Sequence, residues 1–181
     1  MTALSGIAAH VSRRIERLKK EDPVELLRAR PLYARAALPL PAHFVRGGLV
    51  AEVRFADPDR GLLVPQGNAS PREAAARAAA AQKDGASAVA IWVERNFHAG
   101  DWSHLEAARA ACPDLVLIAR DIVLDLWQLE RARAAGADAL ELVPEVLGPA
   151  LPATAAAVRQ LGLTPVTFGP GLMVRPAEVA R

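Results

Sequence analysis

One carboxylate and two guanidinium groups stand at the ends of short apolar segments. Glu52 and Arg54 close the segment at residues 49–54, and Arg120 directly follows the segment at 115–119. Side chains alternate along a strand, so Glu52 and Arg54 share one face. A carboxylate accepts a proton or a hydrogen bond, whereas a guanidinium binds anionic oxygen bidentately and keeps its own proton. These residue types predict a site for an anionic or enolic oxygen, with Glu52 as base or acceptor.

The segments that carry these residues belong to a repeated strand–helix unit. Strands are predicted at 49–54, 88–93, 115–119, 139–143 and 165–168, and helices at 70–84, from 103, at 125–136 and at 153–161. Ser70 followed by Pro71 and Glu73 is typical of a helix start, as is Ser103 with Glu106. Strands that alternate with helices predict a parallel sheet with right-handed crossovers.

Two architectures fit this repetition, an open doubly wound sheet and part of a (β/α)₈ barrel. Neither glycine-rich phosphate-loop motif is present, and five strands are fewer than a complete barrel needs. The prediction is an α/β fold: an incomplete TIM-type barrel of about five parallel strands with extra N-terminal helices. We expect a single domain over 1–181, with helices in 1–46, βα repeats in 47–168 and a tail in 169–181.

The N-terminal segment is helical in pattern and strongly basic. Apolar residues recur at spacings of three and four, and the intervening positions hold a cluster of cations: Arg13, Arg14, Arg17, Lys19 and Lys20. Such a cluster is either a solvated helix face or a site for an anion.

Composition excludes several classes of protein. Of the 181 residues, 52% are hydrophobic, which is too many for a disordered chain. No apolar run is long enough to span a membrane, and no secretory signal is evident. A net charge of +2 and 4% aromatic residues do not favour nucleic-acid binding. The single cysteine, Cys112, indicates a cytoplasmic protein.

Five stretches, taken in order, carry a resemblance to a known family. They are AEVRFADPDRG at 51–61, DGASAVAIWVE at 84–94, Phe97 with Gly100, ARDIVLDLWQL continued by ARAAGADA at 119–139, and LGLTPVTF at 161–168. The first resembles the signature A-E-V-K-R-x-S-P-S-x-G of the indole-3-glycerol phosphate synthase family. The resemblance covers nearly the whole chain and implies a TIM-barrel ancestry with additional N-terminal helices.

The family closes an indole ring on a carboxyphenylamino-deoxyribulose phosphate with loss of CO₂ and water. Its catalytic lysines match Arg54 and Arg120 here, and its strand-five glutamate matches Phe168; only Glu52 is retained. A guanidinium does not donate the proton that an ammonium can give. The family's last three strands and phosphate-binding loops are expected to be missing, so the resemblance implies ancestry more strongly than activity.

Further residues are candidates for a substrate site. At the mouth of a barrel, Glu52, Arg54 and Arg120 are the predicted catalytic residues, and the predicted binding residues are Asp57, Trp92, Phe97, Asp121, Glu141 and Phe168. Each has an alternative, purely structural role. The charged residues could form an ion-pair cluster, the aromatic residues could belong to the core, and Asp121 could cap a turn. Glu94 faces either the mouth or solvent. His98 and His104 lack metal-ligand spacing, so no metal and no cofactor are expected.

Three functions follow from this pattern. The first is a lyase, isomerase or cyclase acting on an anionic aromatic or polyketide-like small molecule in specialised metabolism. The second is a non-catalytic pseudoenzyme or partner subunit, and the third is indole-3-glycerol phosphate synthase activity itself. An incomplete barrel leaves open edges and an uncovered apolar layer, so we expect a homodimer or heteromer through the open side, with the tail as a cover.

Overall fold

The computed structural model describes residues 3–41, 50–168 and 174–176, with side chains for 6–41 and 50–168. Residues 42–49, 169–173 and 177–181, which include the start of the first predicted strand and most of the predicted tail, lie outside the described residues. The chain opens with two helices, α1 (Ala3–Glu21) and α2 (Val24–Arg28), followed by a 3₁₀ turn, Pro31–Ala34. In the described part of the chain, no helix is both long and apolar enough to cross a bilayer.

The remaining elements alternate as predicted. The strands are β1 (Val50–Val53), β4 (Ala88–Trp92), β5 (Val116–Arg120), β6 (Ala139–Glu141), β7 (Thr164–Val166) and β8 (Val174–Pro176). The helices are α3 (Pro71–Lys83), α4 (Arg95–His98), α5 (Trp102–Ala111), α6 (Leu126–Ala134), α7 (Pro144–Leu147) and α8 (Leu151–Gln160). A hairpin of β2 (Ala56–Asp57) and β3 (Gly61–Leu62) follows β1.

The main sheet is parallel throughout, in the order β7-β6-β5-β4-β1-β8. Five of its strands follow one another in chain order, which confirms the predicted α/β class. The sixth, β8, comes from the tail and pairs with β1, at the edge that was expected to be open. The described part of the tail therefore covers this edge by backbone pairing to β1.

Local signals at helix ends are mostly confirmed. The Ser70 side chain accepts a hydrogen bond from the backbone N–H of Glu73 at the start of α3. Asp125 and Gln128 form a reciprocal capping box at the start of α6. The start predicted at Ser103 is wrong, because Asp101 caps α5 and binds the backbone N–H and hydroxyl of Ser103.

Alternation along the strands divides the sheet into two faces. The outer face packs against α3, α5, α6 and α8 and forms the larger core. The inner face, on the other side, is formed by seven buried residues: Val50, Ala88, Ala90, Val116, Ile118, Ala139 and Val166. Leu38, Leu40 and Phe168 pack against this inner face. The expected uncovered apolar layer is therefore wrong, because the segment after the 3₁₀ turn lies across it.

The N-terminal helices form a third cluster on the outside of the fold. Ile7, Val11 and Ile15 of α1 pack with Leu27 of α2 and with Trp127 of α6. Their spacing of four residues places the α1 side chains on one stripe, as the sequence predicts. Two basic side chains of α1 reach loops at the carboxyl end of the sheet, since Arg14 binds the carbonyl oxygen of Val93 and Lys19 binds Asp125.

Candidate functional site at the carboxyl end of the sheet

Strand parity brings charged and aromatic side chains together at the carboxyl end of the inner face. Glu52 follows Val50 by two residues, Trp92 follows Ala90, and Arg120 follows Ile118. Glu141 and Phe168 continue the inner-face series of β6 and β7. Trp92 is in register with Arg120, so neighbouring strands present these groups at one level. We call this set, with Arg54 and Asp57, the mouth cluster.

Glu52 is the centre of the mouth cluster and is 7% exposed. Its Oε1 accepts a 2.7 Å hydrogen bond from the indole Nε1 of Trp92 and a second from the Arg120 guanidinium. Its Oε2 lies 3.3 Å from Nε of Arg54, an ion pair without hydrogen-bond geometry. One oxygen is therefore held by two donors, while the other receives no hydrogen bond from the described residues.

Arg120 joins Glu52 to the strand on its other side. Its Nε and NH2 bind the two oxygens of Glu141 at 2.5 and 2.9 Å, a bidentate pair. The guanidinium carbon also lies 4.4 Å from the Trp92 ring centroid and 4.7 Å from that of Phe168. An anion that bound Arg120 would therefore compete with two carboxylates.

Arg54 links the mouth cluster to the hairpin after β1. Its NH1 lies 2.7 Å from Oδ2 of Asp57. Asp57 also accepts the backbone N–H groups of Asp59 and Arg60, and these hydrogen bonds hold the pKa of its carboxyl below the usual value. Three carboxylates thus face two guanidiniums, and every predicted charged member except Asp121 takes part.

Glu94 and His98 support the mouth cluster through Trp92. The sequence did not decide whether Glu94 faces the mouth or solvent. Glu94 is wholly buried and accepts three backbone N–H groups at the start of α4 and the Nδ1 side of His98 at 3.0 Å. Burial raises the pKa of Glu94, but these hydrogen bonds outweigh it, so the net pKa lies below its usual value. The His98 ring stacks on Trp92 with centroids 3.6 Å apart. The four-residue spacing of Glu94 and His98 was the available signal.

Two predicted site residues lie elsewhere. Phe97 packs with the apolar cluster of α1, and its ring centroid lies 5.7 Å from that of His10. Asp121 is buried and binds the backbone N–H of Ile122 and the side-chain amide of Gln128. Of the two interpretations offered for Asp121, the structure favours the turn cap, since none of its hydrogen bonds reaches Arg120.

No set of three potential metal ligands is present among the residues that the structure describes. Two cavities are lined by residues outside the mouth cluster. The first, of about 440 Å³, is lined by the loop between α4 and α5 and by residues of α3, α4 and α5. The second, of about 290 Å³, lies between α1 and α4.

Comparison with known proteins decides the ancestry. The profile of a family described as "Indole-3-glycerol phosphate synthase" matches residues 4–167. The chain belongs to the indole-3-glycerol phosphate synthase family. Its position in that family explains why a parallel βα series follows two additional helices, and the resemblance carried by the five sequence stretches is confirmed.

Relatives with the same description set the range of similarity. The synthase of Salinibacter ruber is 33% identical over 168 residues, which cover 91% of this chain and 60% of that protein. The synthase of Roseiflexus sp. is 35% identical over 81% of this chain and 55% of its own length. The chloroplastic synthase of Arabidopsis thaliana is 34% identical over 74% of this chain and 34% of its own length. The matched part of the chain spans 60%, 55% and 34% of the length of these relatives.

A solved structure is also similar, at greater distance. A dihydrodipicolinate synthase family protein from Coccidioides immitis aligns over 70% of this chain and 45% of its own, with 18% identity and a TM-score of 0.47.

Proposed function

We propose that this family member acts on an anionic aromatic or polyketide-like small molecule as a lyase, isomerase or cyclase. Glu52 is the proton acceptor, and Arg54 and Arg120 stabilise negative charge that develops on substrate oxygen. The observation that carries the proposal is the unequal bonding of Glu52. Its Oε1 is held by Trp92 and Arg120, whereas Oε2 faces Arg54 without a hydrogen bond. One oxygen is thus oriented by two donors, while the other, which is ion-paired with Arg54, receives no hydrogen bond from the described residues and is the oxygen we assign to accept the proton.

The arginines argue for chemistry other than the family's indole closure. That reaction, as the resemblance implies it, uses two lysines and a strand-five glutamate, and these positions hold Arg54, Arg120 and Phe168. A guanidinium stabilises an oxyanion but does not release a proton at neutral pH. Proton abstraction beside a carbonyl needs only a base and charge stabilisation, and the mouth cluster offers both. Specialised metabolism is the setting we propose for such a reaction.

A second candidate function is that of a non-catalytic binding or partner subunit. It is favoured because the charged groups of the mouth cluster already pair with one another. Arg120 binds both Glu52 and Glu141, and Arg54 binds Asp57. A cluster that satisfies its own charges can hold strand ends together without acting on a substrate. Removing one partner of such a buried pair leaves an uncompensated charge and destabilises the fold. Stability alone can therefore explain why these charged residues occur together.

Deuterium exchange separates these functions. The protein is incubated in D₂O with the family's carboxyphenylamino-deoxyribulose phosphate and with aromatic β-keto acids, and exchange beside the carbonyl is followed by NMR. The proposed enzyme exchanges at least one substrate, and Glu52→Gln lowers the rate about 10²-fold or more. Glu145→Gln, an exposed carboxylate on α7, is the matched control and keeps the rate.

Three other outcomes contradict the proposal. Saturable binding without exchange, unchanged in Glu52→Gln, would support the non-catalytic subunit. Indole fluorescence after addition of the family's substrate would show the family's own reaction. Equal exchange by both glutamine variants would place the base elsewhere than Glu52.

We further propose a homodimer or heteromer and a cytoplasmic location. The cytoplasmic location rests on the single cysteine, Cys112, which is buried. The oligomer rests on the outer edge of β7, which pairs only with β6 among the described strands. Sedimentation velocity at micromolar concentration tests the assembly: a sharp monomer boundary would overturn it.

A further inference from the structure

A cleft rich in arginine separates α1 from α4. Its lining residues are His10, Arg13, Arg14 and Arg17 on α1 and Arg95 and Asn96 on α4, around a cavity of about 290 Å³. The α1 residues occupy positions i, i+3, i+4 and i+7, which lie on one helix face. Arg95 and Asn96 begin the turn that follows β4, so this arginine cleft opens at the carboxyl end of the sheet.

The charges in the arginine cleft are only partly compensated. Arg14 lies 3.8 Å from Asp101, and Arg17 lies 3.6 Å from Glu21. Arg13 and Arg95 lie within 4.0 Å of no carboxylate in the described part of the chain. Arginines four residues apart on a helix repel one another, as Arg13 and Arg17 do. The charge of Arg95 also acts on the nearby Asp101 carboxylate, without an ion pair, so the cleft keeps an excess of positive charge for an anion to neutralise.

Both walls of the cleft are held by partly buried hydrogen bonds. The Arg14 side chain is 10% exposed, its NH1 donates to the carbonyl oxygen of Val93 at 3.1 Å, and its buried Nε has no hydrogen-bond partner. On the facing wall, the carboxylate of Glu94 accepts the backbone N–H of Asn96 at 2.7 Å. A ligand therefore meets guanidinium groups whose backbone and neighbours are already placed, which lowers the ordering cost of binding.

We propose that the arginine cleft binds the phosphoryl group of a small phosphorylated molecule. A guanidinium presents a planar fork that binds phosphate oxygens bidentately, and a phosphate monoester carries close to two negative charges. Ligands of parallel α/β sheets bind at the carboxyl ends of the strands, and the cleft lies there, beyond Val93. This proposal stands apart from the proposed function of the mouth cluster, since no residue is shared.

Calorimetric titration with glycerol 3-phosphate tests the proposal, with glycerol as the uncharged reference. Arg13→Gln and Arg95→Gln remove charge without breaking any described hydrogen bond, so the fold should be kept. Each should weaken binding about tenfold, the effect of one charge-assisted contact. Arg159→Gln, an exposed arginine on α8, is the matched control and should bind like the wild type. Equal thermal unfolding of all variants shows that the fold is unchanged.

Each remaining outcome would overturn the proposal. Absence of saturable binding by the wild type would identify the arginines as a solvated helix face. Equal weakening in all three variants would indicate diffuse surface charge. Binding of single-stranded RNA or anionic vesicles through Arg13 and Arg95, without binding of glycerol 3-phosphate, would assign the surface to a macromolecule instead.

Discussion

The indole Nε1 of Trp92 donates a 2.7 Å hydrogen bond to Oε1 of Glu52, and this bond joins two adjacent parallel strands at the mouth of the fold. Both groups are largely buried, so the bond forms away from bulk water. It fixes which carboxylate oxygen is occupied and which faces Arg54. The bonding of Glu52 is therefore set by a residue of a different strand.

We expect a measurable energetic coupling between Trp92 and Glu52. Trp92→Phe removes the N–H donor but keeps a ring against His98, and it should lower the free energy of unfolding by about 1–2 kcal/mol. In a double-mutant cycle with Glu52→Gln, the coupling should be about 1 kcal/mol, measured by urea denaturation. Trp102→Phe serves as the control partner. A cycle with Trp102 that gives the same coupling would contradict a specific bond.

Gly100→Ala should destabilise the turn between α4 and α5, which lies next to Glu94 and His98. A Cβ at this position would lie 2.3 Å from the carbonyl oxygen of Trp92 and 2.8 Å from that of Glu94. Both are backbone atoms, so the turn itself must shift, at a cost of about 2 kcal/mol or more. Gly6→Ala is the matched control, since nothing lies within 4 Å of its Cβ in α1. Helix propensity predicts that Gly6→Ala stabilises instead. Equal thermal shifts would contradict the steric argument.

The Asp121 carboxyl should make the free energy of unfolding fall as the pH rises, whereas a carboxyl with a lowered pKa makes it rise. Burial raises the pKa of Asp121 from 3.8 to about 6. Because the folded pKa exceeds the unfolded one, its stabilising contribution is complete below about pH 4 and is lost as the pH rises through about 6. Between about pH 5 and about pH 7, the wild type should therefore lose about 1 kcal/mol of unfolding free energy relative to Asp121→Asn.

Asp125→Asn is the control for this titration. Burial raises the pKa of Asp125, but hydrogen bonds from Lys19 and the Trp127 backbone outweigh it, and the net pKa is lowered. Its contribution is present above the unfolded pKa and should stay constant over the same pH range. Urea denaturation at both pH values measures the two differences. A constant difference for Asp121→Asn would show that its carboxyl is ionised throughout.

Asp138→Asn should destabilise the amino end of the sheet. Asp138 is fully buried and binds Arg35, Arg109 and the backbone N–H groups of Leu38 and Leu117. Loss of its charge leaves Arg109, which is 3% exposed, without its carboxylate. The free energy of unfolding should fall by about 3–5 kcal/mol, while the exposed Asp114→Asn changes it little. Similar denaturation midpoints for the two variants would refute this role.

Several features were predictable because their causes are local. Ser70 and Asp125 act on the turn in which they lie, so residue type and spacing are sufficient. Strand parity is local as well: alternation alone placed Glu52 and Arg54 on one face. The βα repetition then implied a parallel sheet, and its carboxyl ends implied where polar side chains would meet.

Other features depended on partners far along the chain. The cover on the inner face requires Leu38 and Leu40 to reach the sheet. Phe97 was predicted at the mouth, but packing against α1 decided its position. None of these distances is contained in a spacing along the sequence.

The sequence by itself therefore determined the family, the order of strands and helices, and which side chains share a face, because these follow from periodicity and short motifs. Only the tertiary structure decided which charges pair. Whether Arg120 binds Glu141 or Asp121 depends on strand register and sheet twist, which set distances to within an ångström. Charge pairing changes with such distances, so the chemistry of the mouth cluster is a property of the fold.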